Sequence, residues 1–177
     1  MISRMVFQCY PVEEVNAARV ALDLKPLPET TILPMVESTT TTEPGAISHG
    51  DLKAYLAEIG RVQGYIADEE YPLESTRLDV VWRRVERSVP TFVFEVQIGG
   101  DIYHAMAKLK HALDLWNSHI FLVATMGDKS KYQELLSGTF HEVADQIRFI
   151  DITSIKELLE KKRDYKHLER ALGIFKR

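Results

Sequence analysis

Residues 76–97 read TRLDVVWRRVERSVPTFVFEVQ, and the fold turns on how this stretch is parsed. It holds two short runs rich in β-branched and aromatic residues, LDVVW and TFVFEVQ, joined by the charged segment RRVERSV. The runs have strand length and composition, and the charged segment between them reads as a hairpin connection. Each strand carries one acid among apolar neighbours, Asp79 in the first and Glu95 in the second. Side chains alternate across a strand, so Glu95 and Gln97 share a face with Val93, while Phe92, Phe94 and Val96 take the other. In the first strand Leu78, Val80 and Trp82 line one face, and Asp79, Val81 and Arg83 the opposite one. If the two strands are antiparallel neighbours, Asp79 and Glu95 converge at one edge of the sheet.

Working outward, GYIADEEYPL supplies a third strand before this pair, with Pro72 near its end. Ahead of it, Leu52, Tyr55, Leu56 and Ile59 follow helical spacing. Ser48 with Asp51 forms a capping-box-like start, and Gly60 is a plausible stop. After Gly99-Gly100, Asp101 caps a helix over 102–116 with the stripe Ala105, Leu109, Ala112, Leu113 and Trp116. IFLVAT is a continuous apolar run, as expected for a central strand covered on both faces. A helix over 129–137, a short one over 141–146 and the strand IRFIDI follow. The capping box S-I-K-E at 154–157 opens a basic C-terminal helix with an expected break near Asp164. The order α-β-β-β-α-β-α-β-α predicts an α/β sandwich, with an antiparallel meander at one side of a mixed sheet and a crossover unit after it.

The first 46 residues differ. A helix over 12–24 is followed by Pro26, Pro28 and Pro34 and by the linker-like run ESTTTTEPG. We take 1–46 as an arm, suited to docking a protein partner, and 47–177 as the domain. A single cysteine, Cys9, rules out a disulfide framework or a four-cysteine zinc site and favours a reducing, cytoplasmic setting. No run approaches the ~20 apolar residues of a membrane span, and the first residues lack the apolar core of a signal peptide. A net charge of −4 argues against indiscriminate coating of nucleic acid but leaves room for a local basic patch. His104 and His111 do not form a zinc-binding spacing, and Gly99-Gly100 reads as a turn rather than a phosphate loop.

Two carboxylates buried together repel and raise one another's pKa. A divalent cation relieves that cost, and Mg²⁺ prefers one or two carboxylates with waters and a phosphate. Such a site permits metal-assisted hydrolysis of a phosphodiester. The segments RLDVVW (Asp79), FEVQ (Glu95, Gln97) and AKLKHALDLWNSHIFLVAT, set in this order of elements, resemble the PD-(D/E)xK nucleases, a superfamily that includes restriction endonucleases and archaeal Holliday-junction resolvases. The resemblance spans residues 48–152. It implies a restriction endonuclease-like sandwich, with a mixed central β-sheet flanked by helices, acting on DNA as a Mg²⁺- or Mn²⁺-dependent nuclease and, as family members often do, as a homodimer. It further implies that Asp79 and Glu95 hold the metal and that Gln97 contacts water or phosphate.

Position 97 departs from the commoner Lys of the family, an E-x-Q variant that some active members share, and Gln supplies no positive charge. Lys108, on the following helix, is the candidate replacement. For the metal-supporting Glu that the family often has on its first helix, the resemblance offers His49, Asp51, Glu58 or Glu70.

Two basic groups are candidates for the DNA backbone: Arg83 and Arg84 in the hairpin, and Lys161, Lys162 and Arg163 in the C-terminal helix. Two rival readings remain. The acids are ordinary exposed residues paired with Arg77, Arg83 or Arg84, or the fold has lost its chemistry and serves to bind nucleic acid or dock a protein.

Overall fold

The computed structural model describes residues 47–174. The expected helix over 12–24 and the arm as a whole lie outside these residues.

The described chain is an α/β structure with a five-stranded mixed sheet. Helix α1 (His49–Val62) leads into strands β1 (Ile66–Leu73), β2 (Thr76–Arg83) and β3 (Phe92–Gln97). Helix α2 (Ile102–Trp116), β4 (His119–Ala124), α3 (Lys129–Ser137), β5 (Ile147–Asp151) and α4 (Ile152–Ala171) follow. The segment expected as a short helix over 141–146 is a single 3₁₀ turn, His141–Val143. Strand order follows the chain, β1 to β5; β1, β2 and β3 pair antiparallel, and β3, β4 and β5 pair parallel. The parallel half needs crossovers, and α2 and α3 supply them.

The sheet is covered on both faces. Leu52, Leu56 and Ile59 of α1 and Ile155 and Leu159 of α4 bury Val80, Trp82, Phe94 and Val96. On the other side Ile102, Met106 and Leu109 of α2, with Tyr132 of α3, bury Leu78, Val81 and Val93. Strand β4 contributes Leu122 to one core and Val123 to the other, which explains its unbroken apolar run. Trp82 anchors the α1 side: its indole Nε1 donates to the Leu56 carbonyl at 3.0 Å, and its ring lies among Tyr65, Phe92 and Phe94.

Other sequence expectations also need correction, the Gly60 helix stop among them, since α1 runs on to Val62. Leu78 does not share a face with Val80 and Trp82; it packs with Val81 and Val93 on the α2 side. The cause is a break in pairing. The β1–β2 ladder runs through Glu69↔Val80 and resumes at Tyr71↔Leu78, with no Glu70–Asp79 pair between them. Glu70 there has φ +52°, a left-handed conformation that interrupts the pleat. Helix α4 begins at Ile152 with Asp151 as its N-cap, so Ser154 lies within the helix. It also runs unbroken past Asp164.

Candidate active site

Asp79 falls where both of its strand's ladders are open. The β2–β3 pairing stops at Val80↔Phe94, one position short of an Asp79–Glu95 pair. Side chains take over from the missing backbone bonds. The Asp79 N–H donates to Glu95 Oε1 at 3.1 Å, and the Val96 N–H donates to Asp79 Oδ2 at 2.7 Å. The two acids thus close the gap between diverging strands, each holding a backbone donor of the other's neighbourhood. Their convergence, expected from sequence, is present.

Glu95 is buried at 2% exposure. Its second oxygen, Oε2, is in contact with Lys108 Nζ, which comes from α2 and also donates to the Arg77 carbonyl at 2.7 Å. Gly99 and Gly100, both at positive φ, make the turn from β3 into α2, and the Asp101 side chain caps that helix by accepting the Tyr103 N–H at 3.0 Å. This turn sets α2 so that its second turn faces the end of β3. Lys108 thus sets a positive charge directly against Glu95. Burial and the neighbouring Asp79 charge push the Glu95 carboxyl up to about 8, against the opposing pull of Lys108 and of the Asp79 N–H.

His49, in the first turn of α1, comes to the same place from the opposite face. Its Nε2 lies 3.1 Å from the Val96 carbonyl, to which it donates, and 3.4 Å from Asp79 Oδ2. The helix start that holds it is the expected capping box, in which the Asp51 carboxylate accepts the Ser48 N–H and the Ser48 hydroxyl accepts the Asp51 N–H. Asp51 is thereby committed to the cap. Glu58 is bound by Arg163, and Glu70 by Lys53. Of the four residues considered for the first-helix position, His49 is the one that lines the cavity.

The cavity has a volume of about 350 Å³, and its walls include His49, Asp79, Glu95, Gln97, His104 and Lys108. Gln97 is turned aside: its Nε2 donates to the Gly99 carbonyl at 2.6 Å. None of Arg77, Arg83 and Arg84 forms an ion pair with Asp79 or Glu95 among the described residues; Arg83 instead pairs with Asp68 at 2.7 Å. Arg84 is exposed in the β2–β3 connection. Lys161 pairs with Glu157 along α4, Arg163 binds Glu58 through two bonds of 2.7 and 2.6 Å, and Lys162 is half-buried. None of these five basic residues lines the carboxylate cavity. The Val96 carbonyl, which faces His49 beside Asp79, had no sequence signal, because a backbone oxygen is carried by every residue type.

Among the described residues, no group of three or more His, Cys, Asp and Glu side chains is disposed to hold a metal ion. A cation here would rest on two carboxylates, backbone oxygen and water, a donor set that suits Mg²⁺ and not Zn²⁺. Asp79 Oδ1 makes no hydrogen bond among the described residues. No protein-family model, curated protein or solved structure matches the chain.

Proposed function

We propose that this chain is a PD-(D/E)xK-type nuclease of restriction endonuclease-like fold that hydrolyses DNA phosphodiester bonds with Mg²⁺ or Mn²⁺. One observation carries the reading: two acids from adjacent strands, at the point where those strands part, face one cavity with a lysine against them. A buried acid pair with no catalytic use would be a poor structural choice, since desolvating two like charges costs more than an apolar pair in the same place.

Asp79 and Glu95 would hold the cation, with the Val96 carbonyl beside them. The metal supplies a bound water of lowered pKa and offsets charge building on the phosphate. The chain's own residues do the rest. Lys108 keeps Glu95 in place and offers an ammonium at the mouth of the cavity for a non-bridging phosphate oxygen. His49 donates to the Val96 carbonyl and lies beside Asp79 Oδ2. Gln97, released from Gly99, would reach water or phosphate as a neutral donor.

The test is cleavage of plasmid, single-stranded and branched DNA with Mg²⁺ or Mn²⁺, comparing wild type with Glu95→Ala and Asp79→Asn. Loss of cutting in both variants is the expected result; equal activity in all three proteins sinks the proposal. A second reading, a domain of the same kind without chemistry, is favoured by the inward turn of Gln97 toward Gly99. Under it no metal-dependent cutting occurs in any of the three.

A further inference from the structure

A second cleft is larger than the carboxylate cavity. It lies between the C-terminal end of α1 and the second half of α4, with a volume of about 1020 Å³. Its walls include Arg61 from α1 and Arg163, Lys166, His167 and Arg170 from α4, with Glu58 and Asp164 as the acids. Glu58 is neutralised by the two-bonded Arg163. Lys166 is shared with Glu169 at 2.8 Å. Arg61 and Arg170 form no ion pair among the described residues, and both are exposed. Cations from two distant segments of the chain therefore face one concavity with less acid than they need.

We propose that this cleft binds the sugar–phosphate backbone of a nucleic acid, at a site apart from the carboxylate cavity and independent of whether hydrolysis occurs there. Three features point to a polyanion rather than a single small ion. The cleft is at the upper end of the ~300–1,000 Å³ that small ligands occupy, and the charged ends of side chains from two helices reach its walls. Arg163, Lys166, His167 and Arg170 recur on one side of α4, and at ~1.5 Å per residue that row is about 10 Å long. A duplex strand presents one phosphate per ~3.4 Å of axis, so the row faces about three phosphates. Its cations without an acid partner are arginines, of which Arg61 also reaches the Ala67 carbonyl at 3.5 Å, and their planar fork and weak hydration favour phosphate oxygens. A net negative chain is no obstacle, because screening beyond ~10 Å leaves the local field in control. Contacts of this kind carry no base information, so binding is independent of sequence.

The experiment is fluorescence anisotropy of a labelled duplex and a labelled single strand, with the full chain in EDTA so that neither probe is cut. Affinity is measured over a series of NaCl concentrations. Replacing Arg61 and Arg170 together by Ala is expected to lower the log–log salt slope by about 2 and to weaken binding roughly 50-fold near 0.1 M salt. The same pair changed to Lys is expected to keep the slope, and an unchanged melting temperature shows that the Ala variant is folded. Inorganic phosphate at constant ionic strength is expected not to displace either probe. The inference is overturned if wild type binds neither probe, if the Ala variant keeps the parent slope, or if inorganic phosphate competes. Plasmid cutting by the Ala variant separates this result from the nuclease reading. Intact cutting with unchanged DNA binding removes the cleft and leaves the active site standing.

Discussion

Glu95 answers to four influences that pull on its proton in different directions. Burial comes first and Asp79 second, both favouring the neutral acid; Lys108 and the Asp79 N–H oppose them, and the carboxyl ends up near 8. The native state therefore keeps this proton at pH values where the unfolded chain has lost it. Stability is complete below the unfolded value of about 4.5 and declines as pH rises toward 8, since the unfolded state then binds fewer protons than the native one. In EDTA, urea unfolding between about pH 5 and 8.5 is expected to show this loss, on the order of a few kcal/mol. Asp79→Asn removes the second cause and is expected to flatten the decline. Glu58 and Glu70, held low by hydrogen bonds from Arg163 and Lys53, act in the opposite sense. Their contribution is lost only as pH falls below the ordinary carboxylate range, outside this window. Lys108→Met leaves Glu95 without its cation and the cavity without its ammonium. Cleavage is expected to drop about 10²- to 10³-fold, the size seen when a charge-stabilising donor is removed. Gln97→Ala is expected to cost much less, because that amide is already occupied by Gly99. Steady-state rates on one supercoiled plasmid rank the two; a larger loss from Gln97→Ala would reverse the roles of Gln97 and Lys108.

Among the elements, α1 is tied to the sheet by a close approach at Gly60. A Cβ there would lie 2.5 Å from Trp82 Nε1 and 2.7 Å from Cδ1, inside a rigid ring held by its bond to the Leu56 carbonyl. Gly→Ala in a helix interior would by itself gain up to ~1 kcal/mol. Overpacking against a fixed indole costs ~1–3 kcal/mol, so the clash wins. Gly60→Ala is expected to lower the melting temperature by several degrees, and an unchanged or raised value would show that α1 can slide over Trp82. Gly60 had read from sequence only as a helix stop, yet α1 continues to Val62, and the contact that requires a glycine was not legible. The elements themselves were legible, because each carries its own signal: the four- and three-residue spacing of Leu52, Leu56 and Ile59, the unbroken run of β4, the Gly99-Gly100 turn. What failed were features set by partners. Leu78 changes face because Glu70 adopts φ +52°, and a glutamate gives no warning of that as a glycine would. Asp164 did not end α4, since an Asp costs a helix at most ~0.7 kcal/mol and the neighbouring Arg163 fastens the same turn to Glu58 on α1.

At the scale of the whole molecule, the pairing of Asp79 with Glu95 was readable for a different reason: acids in strands otherwise filled with Val, Phe and Trp violate the local pattern, and such violations mark sites. The contact of Lys108 with Glu95 was suggested only through a resemblance, since it depends on how α2 leans over the end of β3. The whole fold also gives the test that does not require turnover. Without a cation, the native state relieves the repulsion of the acid pair by keeping a proton on Glu95 up to about pH 8, and a bound cation would take that proton's place. A cation that binds the native site and not the unfolded chain stabilises by RT ln(1 + [L]/Kd), about 2.7 kcal/mol at 100 times Kd. For a chain of this size that corresponds to roughly 5–10 °C in melting temperature. Mg²⁺ or Mn²⁺ is expected to raise the wild-type value by this order, and EDTA to reverse it. Asp79→Asn and Glu95→Gln are expected to lose most of the response, while Arg61→Ala, at the far end of α1, keeps it. A general salt effect would raise all four proteins alike, and a domain without chemistry would show no metal response in any. The pattern across the four proteins therefore separates a cation held by this acid pair from each alternative, whether or not any DNA is cut.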